Sequence, residues 1–260
     1  MLDFEELRID AFAKLTLSLH ITGTRADGYH ELDATMVSIT APYDALLLRP
    51  AARTSLTITG PFAEGVPADE SNLAWRAADA CAASVEIVLH KGIPTGAGLG
   101  GGSADAAAVL TALRADPAIA AALGADVPFC MRGGFALVRG IGEKLERGEN
   151  LALVVVVATP PFRCSTADVY RAWDELGGPR DDVNDLSPAA ELVEPRLVEF
   201  RRAVEAAAGA PAILAGSGSS YAVVFEHVVE AERARARIAA AVAGSVWLGS
   251  TAPAGVALNP

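Results

Sequence analysis

A glycine-rich segment is the part of the chain best suited to hold an anionic ligand. Residues 91–108 read KGIPTGAGLGGGSADAAA, and five glycines fall within the seven positions from Gly96 to Gly102. Because glycine lacks a Cβ atom, such a loop lets several backbone N–H groups point into one cavity. A helix predicted to begin at about Ser103 would add the positive end of its dipole. The segment therefore predicts an anion cradle.

Other interpretations of this loop fit less well. A P-loop would place Lys directly after the last glycine, whereas Ser103 follows Gly102 here. Residues 96–101 match GxGxxG, and Asp116 lies about 20 residues further on, as in a dinucleotide fold. That match is weak because Asp116 lies between an alanine-rich helix and Pro117, not at the end of an apolar strand. A glycine turn without a ligand remains the third alternative.

Two charged residues have the types that proton transfer and charge stabilisation require. The chain has 18 arginines and three lysines, and Lys14 is flanked by apolar residues. A compact cation away from bulk water would suit an oxyanion or a carboxylate, although a snorkelling lysine at a strand edge fits the same pattern. Asp126 follows a short helix predicted to end near Gly124, and Pro128 predicts an extended chain after it. An ordinary turn aspartate would look the same.

The elements that position these residues are predicted from periodicity. Residues 15–21 alternate between apolar and polar side chains, which predicts a half-buried strand with Lys14 and Thr16 on its polar face. Further predicted strands cover residues 32–40, 45–49, 55–59, 85–90, 135–139, 151–158, 212–215, 221–225 and 246–248. Predicted helices cover residues 73–83, 103–114, 117–123, 166–176, 188–208 and 228–243. This order predicts an α+β fold.

Composition excludes several classes of function. The formal net charge of −11 disfavours nucleic acid or an anionic membrane as a partner. The longest apolar run, residues 151–158, is far shorter than the roughly 20 residues of a membrane span, and the acidic N-terminus argues against a secretory signal. Three dispersed cysteines fit neither a disulfide framework nor a metal cluster. We expect a cytoplasmic protein, monomeric or homodimeric, and the sequence assigns no residue as a metal ligand.

Several sequence blocks resemble one known family. PTGAGLGGGS at residues 94–103 is similar to the ATP-phosphate loop of GHMP kinases, whose pattern is P-x-x-x-G-L-G-S/G-S/G-S. AKLTLSLHITGTRADGYHEL at 13–32 and LGADVPF at 123–129 resemble the methylerythritol kinase branch in particular. NDL at 184–186 and GSGS at 216–219 follow in the family's order and spacing. The resemblance spans almost the whole chain.

The resemblance implies a two-lobed GHMP kinase fold, with lobes at residues 1–150 and 151–260 and the active site between them. It implies phosphorylation by ATP, together with Mg²⁺, of the 2-hydroxyl of a cytidyl diphosphate substrate, 4-diphosphocytidyl-2-C-methyl-D-erythritol. That reaction belongs to non-mevalonate isoprenoid precursor synthesis. A GHMP kinase acting on another small alcohol, such as homoserine or a mevalonate-like acid, is an alternative. A nucleotide-binding protein without catalysis is another.

The resemblance also assigns roles to residues. Asp126 corresponds to the catalytic aspartate and Lys14 to the lysine beside it, while Tyr29 and His30 correspond to the pair that holds cytosine by stacking and base-edge hydrogen bonds. Tyr170 corresponds to a second aromatic residue that would pack against the cytosine. The residues expected to hold ATP are Pro94, Thr95, Gly96, Ala97, Gly98, Leu99, Gly100, Gly101, Gly102, Ser103 and Ala104.

Two positions and one segment depart from the family pattern. Thr16, expected to contact the substrate, stands where the family usually has Asn, so a hydroxyl replaces an amide. Asp105 replaces a common Asn and places an acid, which a metal ion could use, just after the phosphate loop. Residues 110–123 form a shorter stretch than the family norm, which predicts a trimmed helical segment beside the nucleotide site.

Overall fold

The computed structural model describes residues 4–149, 151–181 and 183–259. Its centre is a long antiparallel pair formed by β1 (Leu7–Thr24) and β2 (His30–Pro50). Burial alternates along much of both strands, as the period-2 pattern predicts, but residues 13–16 and 36–39 are buried without a break. Register shifts interrupt the pairing after Phe12, Thr16 and Ile21. Such bulges change the direction of a strand locally, and one of them lies directly before Lys14.

The sheet is extended on both sides of this pair. The remaining strands are β3 (Ser55–Thr59), β4 (Val85–His90), β5 (Phe135–Gly140), β6 (Lys144–Arg147), β7 (Val154–Thr159), β8 (Ile213–Leu214), β9 (Tyr221–Phe225), β10 (Ser245–Ala252) and β11 (Val256–Asn259). Their main path runs β11-β1-β2-β10-β7-β9-β8, while β4 and β5 also pair with β2. β10 joins the strands of the first half to those of the second.

Eight helices occur in the described part of the chain. They are α1 (Leu73–Ala80), α2 (Gly101–Ala112), α3 (Ala118–Leu123), α4 (Val127–Arg132), α5 (Thr166–Glu175), α6 (Ser187–Val193), α7 (Arg196–Ala208) and α8 (Val228–Ala241). α2 is the central one, since its residues 104–110 are all buried. Its alanines carry little bulk, so α1, α4 and β1 all pack closely against it. None of these helices has the length and apolar character that crossing a bilayer requires.

The mixed α and β content is confirmed, but several predicted bounds are wrong. The strands predicted at 32–40 and 45–49 are parts of one strand, β2. The helix predicted at 188–208 is two helices, because Pro195 interrupts it and begins α7. The extended chain predicted after Asp126 is helix α4. Pro128 occupies its first turn, where a proline costs no internal hydrogen bond. The short strands β6 and β11 were not predicted, and the division into two lobes stays a prediction.

Candidate active site

The glycine-rich loop lies directly before α2, which begins at Gly101, two residues earlier than predicted. Gly98 and Gly100 have φ angles of +77° and +69°, in the left-handed region that side chains disfavour. A Cβ atom on Gly98 would overlap the carbonyl oxygen of Ala215, and one on Gly100 would lie 2.7 Å from Cγ of Lys14. Both positions therefore require glycine for backbone conformation and for close packing.

Backbone hydrogen bonds hold the loop from two sides. The Lys14 N–H on β1 donates to the Leu99 carbonyl at 3.0 Å. On the other side, the Ser220 N–H donates to the Ala97 carbonyl at 3.1 Å. The loop is thus held between β1 and Ser220, the residue that follows the GSGS segment at 216–219.

Lys14 and Asp126 form an ion pair beside this loop. Lys14 Nζ lies 3.4 Å from Asp126 Oδ2, and the side chains are 8% and 32% exposed. The ammonium also donates to Thr16 Oγ1 at 3.3 Å. β1 supplies the lysine, and the residue before α4 supplies the aspartate. The pair combines a buried cation with a carboxylate that solvent or a ligand can reach.

A second buried charge cluster lies beneath the loop. Lys91 Nζ donates to Asp44 Oδ2 and, at 2.7 Å, to Asp105 Oδ2. Burial and the adjacent Asp44 carboxylate raise the pKa of Asp105 well above its usual value, and the Lys91 ammonium offsets this only in part. Burial alone would lower the pKa of Lys91, but the two acids outweigh it and raise that pKa. Within the described residues, Asp105 Oδ1 is a buried atom without a hydrogen-bond partner.

An aromatic wall closes the opposite side of the site. The His30 and Tyr170 rings stack with centroids 5.0 Å apart and an interplanar angle of 28°, and Trp173 meets His30 edge-on at 5.4 Å. His30 Nε2 lies 2.8 Å from Asp174 Oδ1. Burial, with a contribution from the Asp126 charge, raises the pKa of the Tyr170 hydroxyl, which therefore stays protonated at neutral pH. Tyr29 is 61% exposed.

Comparison with known proteins places this arrangement in a family. The GHMP kinase N-terminal domain matches residues 72–134. The 4-diphosphocytidyl-2-C-methyl-D-erythritol kinase of Paracoccus denitrificans (strain Pd 1222) is 38% identical over 247 residues, which cover 87% of this chain and 90% of the relative. The kinase of the same name from Paramagnetospirillum magneticum (strain ATCC 700264 / AMB-1) is 37% identical over 272 residues, with 91% and 93% covered. The chain belongs to the 4-diphosphocytidyl-2-C-methyl-D-erythritol kinase family.

Solved structures agree with membership in this kinase family. A crystal structure of 4-(cytidine 5'-diphospho)-2C-methyl-D-erythritol kinase has a TM-score of 0.78 and 34% identity, covering 94% of this chain and 98% of its own. A homoserine kinase from Cytophaga hutchinsonii has a TM-score of 0.71 at 16% identity, so its likeness concerns the fold alone. The predicted GHMP kinase fold is confirmed. Membership makes the chain a phosphotransferase that acts on an alcohol and implies ATP as phosphoryl donor.

In this family member, one cavity of about 990 Å³ brings most of the predicted site residues together. Lys14, Asp126 and residues 94–103 of the loop line it, as do Tyr29, His30 and Tyr170 on the aromatic wall. The structure places Thr16 and Ala104 differently, because both are buried behind the lining. The Thr16 hydroxyl accepts a hydrogen bond from the Lys14 ammonium, so Thr16 can affect the site only by positioning Lys14.

Part of the cavity lining was not predicted from the sequence. The missed residues include Val66, Pro67, Ser71, Asn72, Leu73, Ile93, Arg171 and Asp174. Those on α5 could have been found, since Ala167, Tyr170, Arg171 and Asp174 share one helical face by their three- and four-residue spacing. The segment at 66–73 carries no comparable signal. Within the described ranges, no group of three or more His, Cys, Asp or Glu side chains is placed to hold a metal ion.

Proposed function

We propose that the protein transfers the γ-phosphoryl group of ATP to the 2-hydroxyl of 4-diphosphocytidyl-2-C-methyl-D-erythritol, in non-mevalonate isoprenoid precursor synthesis. The observation that carries the proposal is the juxtaposition, in one cavity, of the phosphate loop, the Lys14–Asp126 pair and the aromatic wall. The loop matches the ATP phosphates, the ion pair matches the reacting hydroxyl, and the aromatic wall matches the cytosine. The relatives that align with most of the chain are named as this kinase.

The loop at residues 94–104 binds the ATP phosphates in this proposal. Its positive-φ glycines free backbone N–H groups for anionic oxygens, and α2 directs its N-terminus at the same point. The chain is acidic overall, with a formal net charge of −11, so this local source of positive potential is needed. Peptide dipoles supply it without further cationic side chains.

Asp126 and Lys14 carry the chemistry. The 2-hydroxyl oxygen forms a bond to the γ-phosphorus while the bond to the β,γ-bridging oxygen breaks, and ADP leaves. Asp126 accepts the hydroxyl proton, because its carboxylate is the partly exposed member of the pair. Lys14, fixed by its packing over Gly100, stabilises the charge that develops on the transferred group.

The aromatic wall holds the cytosine of the acceptor. Tyr29 is an exposed ring at the cavity that can stack on the base, Tyr170 supplies a second ring, and His30 contributes polar atoms for the base edge. Thr16 lies behind the lining and acts indirectly, because its hydroxyl accepts a hydrogen bond from Lys14 where the family usually has an amide. Binding of the base at the wall fixes one end of the acceptor, which helps to position its hydroxyl for in-line attack.

Mg²⁺ enters with ATP as part of the nucleotide substrate. Mg²⁺ keeps several waters and binds substrate phosphates together with one or two protein oxygens, so it needs no dedicated protein cage. The ion supplies charge neutralisation at the phosphates.

A substrate panel tests the proposal. Purified protein is assayed with Mg²⁺ and ATP against the cytidyl diphosphate substrate, homoserine and mevalonate, and the product is analysed for phosphate on the 2-hydroxyl. We expect turnover of the cytidyl substrate alone. Tyr29→Ala should raise the KM for that substrate and leave the KM for ATP unchanged, while Tyr43→Ala, an exposed tyrosine outside the cavity lining, serves as control. Faster turnover of homoserine or mevalonate would contradict the proposal, and no turnover of any alcohol would favour a binding protein without catalysis.

A further inference from the structure

The imidazole of His30 is held by three side chains of α5. Asp174 binds Nε2 at 2.8 Å, Tyr170 stacks on one face at 5.0 Å, and Trp173 meets the ring edge-on at 5.4 Å. The His30 side chain is only 7% exposed. Trp173 is itself anchored, since its Nε1–H donates to the Pro179 carbonyl at 2.9 Å. The ring therefore has one fixed orientation before any ligand binds.

The partner of Nε2 determines where the ring proton lies. A carboxylate can only accept a hydrogen bond, so a neutral imidazole facing Asp174 must carry its proton on Nε2. The other nitrogen, Nδ1, then holds a lone pair. Among the described residues, no side chain or backbone group forms a hydrogen bond with His30 Nδ1. His30 lines the cavity, and Nδ1 is the ring nitrogen that the protein leaves without a hydrogen bond in the described ranges, so it is the candidate acceptor for a ligand.

We propose that Asp174 is a positioning residue that makes the base pocket select cytosine over uracil. The proposal rests on the proposed function, because it requires that His30 reads the base of the acceptor. Cytosine presents an N4 amino donor at the position where uracil presents an O4 acceptor. With Asp174 fixing the tautomer, the Nδ1 lone pair accepts a hydrogen bond from N4–H and faces O4 of uracil unfavourably. Selectivity thus includes a repulsive element against the wrong base.

Substitution of Asp174 separates this role from simple support. Asn at 174 keeps the size but can turn its NH₂ group toward Nε2, which moves the ring proton to Nδ1 and converts the acceptor into a donor. We expect Asp174→Asn to lower the ratio of kcat/KM for the cytidyl substrate over its uridyl counterpart by about ten-fold or more. Asp174→Glu restores a carboxylate and should recover part of the ratio. Glu175→Gln, an exposed neighbour at the end of the same helix, is the matched control.

The experiment measures kcat and KM with both nucleobase forms of the acceptor and with ATP, and records ¹⁵N NMR of the His30 ring at mildly alkaline pH. We expect an unprotonated Nδ1 in the wild type, a protonated one in Asp174→Asn, and an unchanged KM for ATP in all variants. Equal losses with both acceptors, or a protonated Nδ1 in the wild type, would overturn the role of Asp174 while leaving the proposed function intact. Absence of wild-type turnover with the cytidyl acceptor would overturn the proposed function and this role with it.

Discussion

Two buried lysines lie against the phosphate loop and differ in what faces them. Lys14 is 6% exposed and meets a single carboxylate, Asp126, whose side chain is 32% exposed. Lys91 is 2% exposed and meets two carboxylates, Asp44 and Asp105, which are 0% and 2% exposed. The first pair includes a partly exposed carboxylate, whereas all three members of the second cluster are almost fully buried, although Lys91 and Asp105 also line the cavity.

The difference separates a carboxylate that a ligand can reach from a cluster whose contacts are mostly internal. Asp44 Oδ1 accepts hydrogen bonds from the backbone N–H groups of Gly92 and Ile93, at 2.7 and 2.8 Å, while its other oxygen accepts from Lys91. That carboxylate has no free oxygen for a substrate. The cluster instead ties β2, the chain after β4 and α2 together beneath the loop. Asp126 keeps an accessible oxygen.

The sharpest way to test this comparison is to change the open carboxylate. Asp126→Asn keeps size and an acceptor but cannot take a proton, so we expect turnover to fall by roughly 10²- to 10⁴-fold with little change in KM or thermal stability. Steady-state kinetics and a melting curve measure both. Asp79→Asn, on an exposed face of α1, is the control. Near-normal turnover would mean that Asp126 is structural and that the reaction depends on positioning and electrostatics alone.

Lys14→Met extends this test as a double-mutant cycle. It keeps much of the side-chain length and removes the charge 3.4 Å from Asp126. If the two groups act as a unit, the double variant loses less turnover than the product of the two single losses. Multiplicative losses would mean that they act independently.

Replacing Lys91, the lysine of the buried cluster, should lower stability more than it lowers turnover. Lys91→Met leaves two acids buried without their cation, and breaking such a buried pair costs about 3–5 kcal/mol of unfolding free energy. Denaturant unfolding measures this cost. Lys144→Met removes an exposed lysine and should change stability by less than about 0.5 kcal/mol. Adding Asp105→Asn to Lys91→Met should recover part of the lost unfolding free energy, because one of the two unpaired buried carboxylates is removed. A Lys91→Met protein of wild-type stability and lower turnover would reverse the comparison.

The smallest expected effect concerns the pH dependence of stability. The pKa of Asp105 is raised in the folded protein, whereas in the unfolded chain it is about 3.9. The folded state therefore binds the extra proton, and stability falls as pH rises from about 4 through the raised pKa. Asp105→Asn removes this titration, so its unfolding free energy should decline less over that range. Denaturant unfolding at several pH values checks this, and an unchanged slope would contradict the assignment of the proton to Asp105.

Local sequence patterns predicted which residues line the candidate site better than they predicted the bounds of the helices and strands that carry them. The glycines at 96–102 and the alternation around Lys14 depend on backbone conformation and period, which neighbouring residues impose. Bounds were less predictable where tertiary packing decides. β2 runs through residues 41–44 because β1 pairs with it on both sides of an irregularity there, with Phe12 opposite Tyr43 and Ala13 opposite Ile39. Pro128 lies in the first turn of α4, where the sequence suggested an extended chain.

The sequence by itself determined the family and predicted the glycine loop and the Lys14–Asp126 pair, because each lies within a contiguous motif. Only the tertiary structure decided which acids Lys91 meets and which group fixes His30. Asp44 lies 47 positions from Lys91, and Asp174 lies 144 positions from His30. No local propensity couples residues so far apart along the chain. Sheet pairing and the packing of α5 bring them together, and the contacts exist because buried polar groups must find partners at the positions where the fold places them.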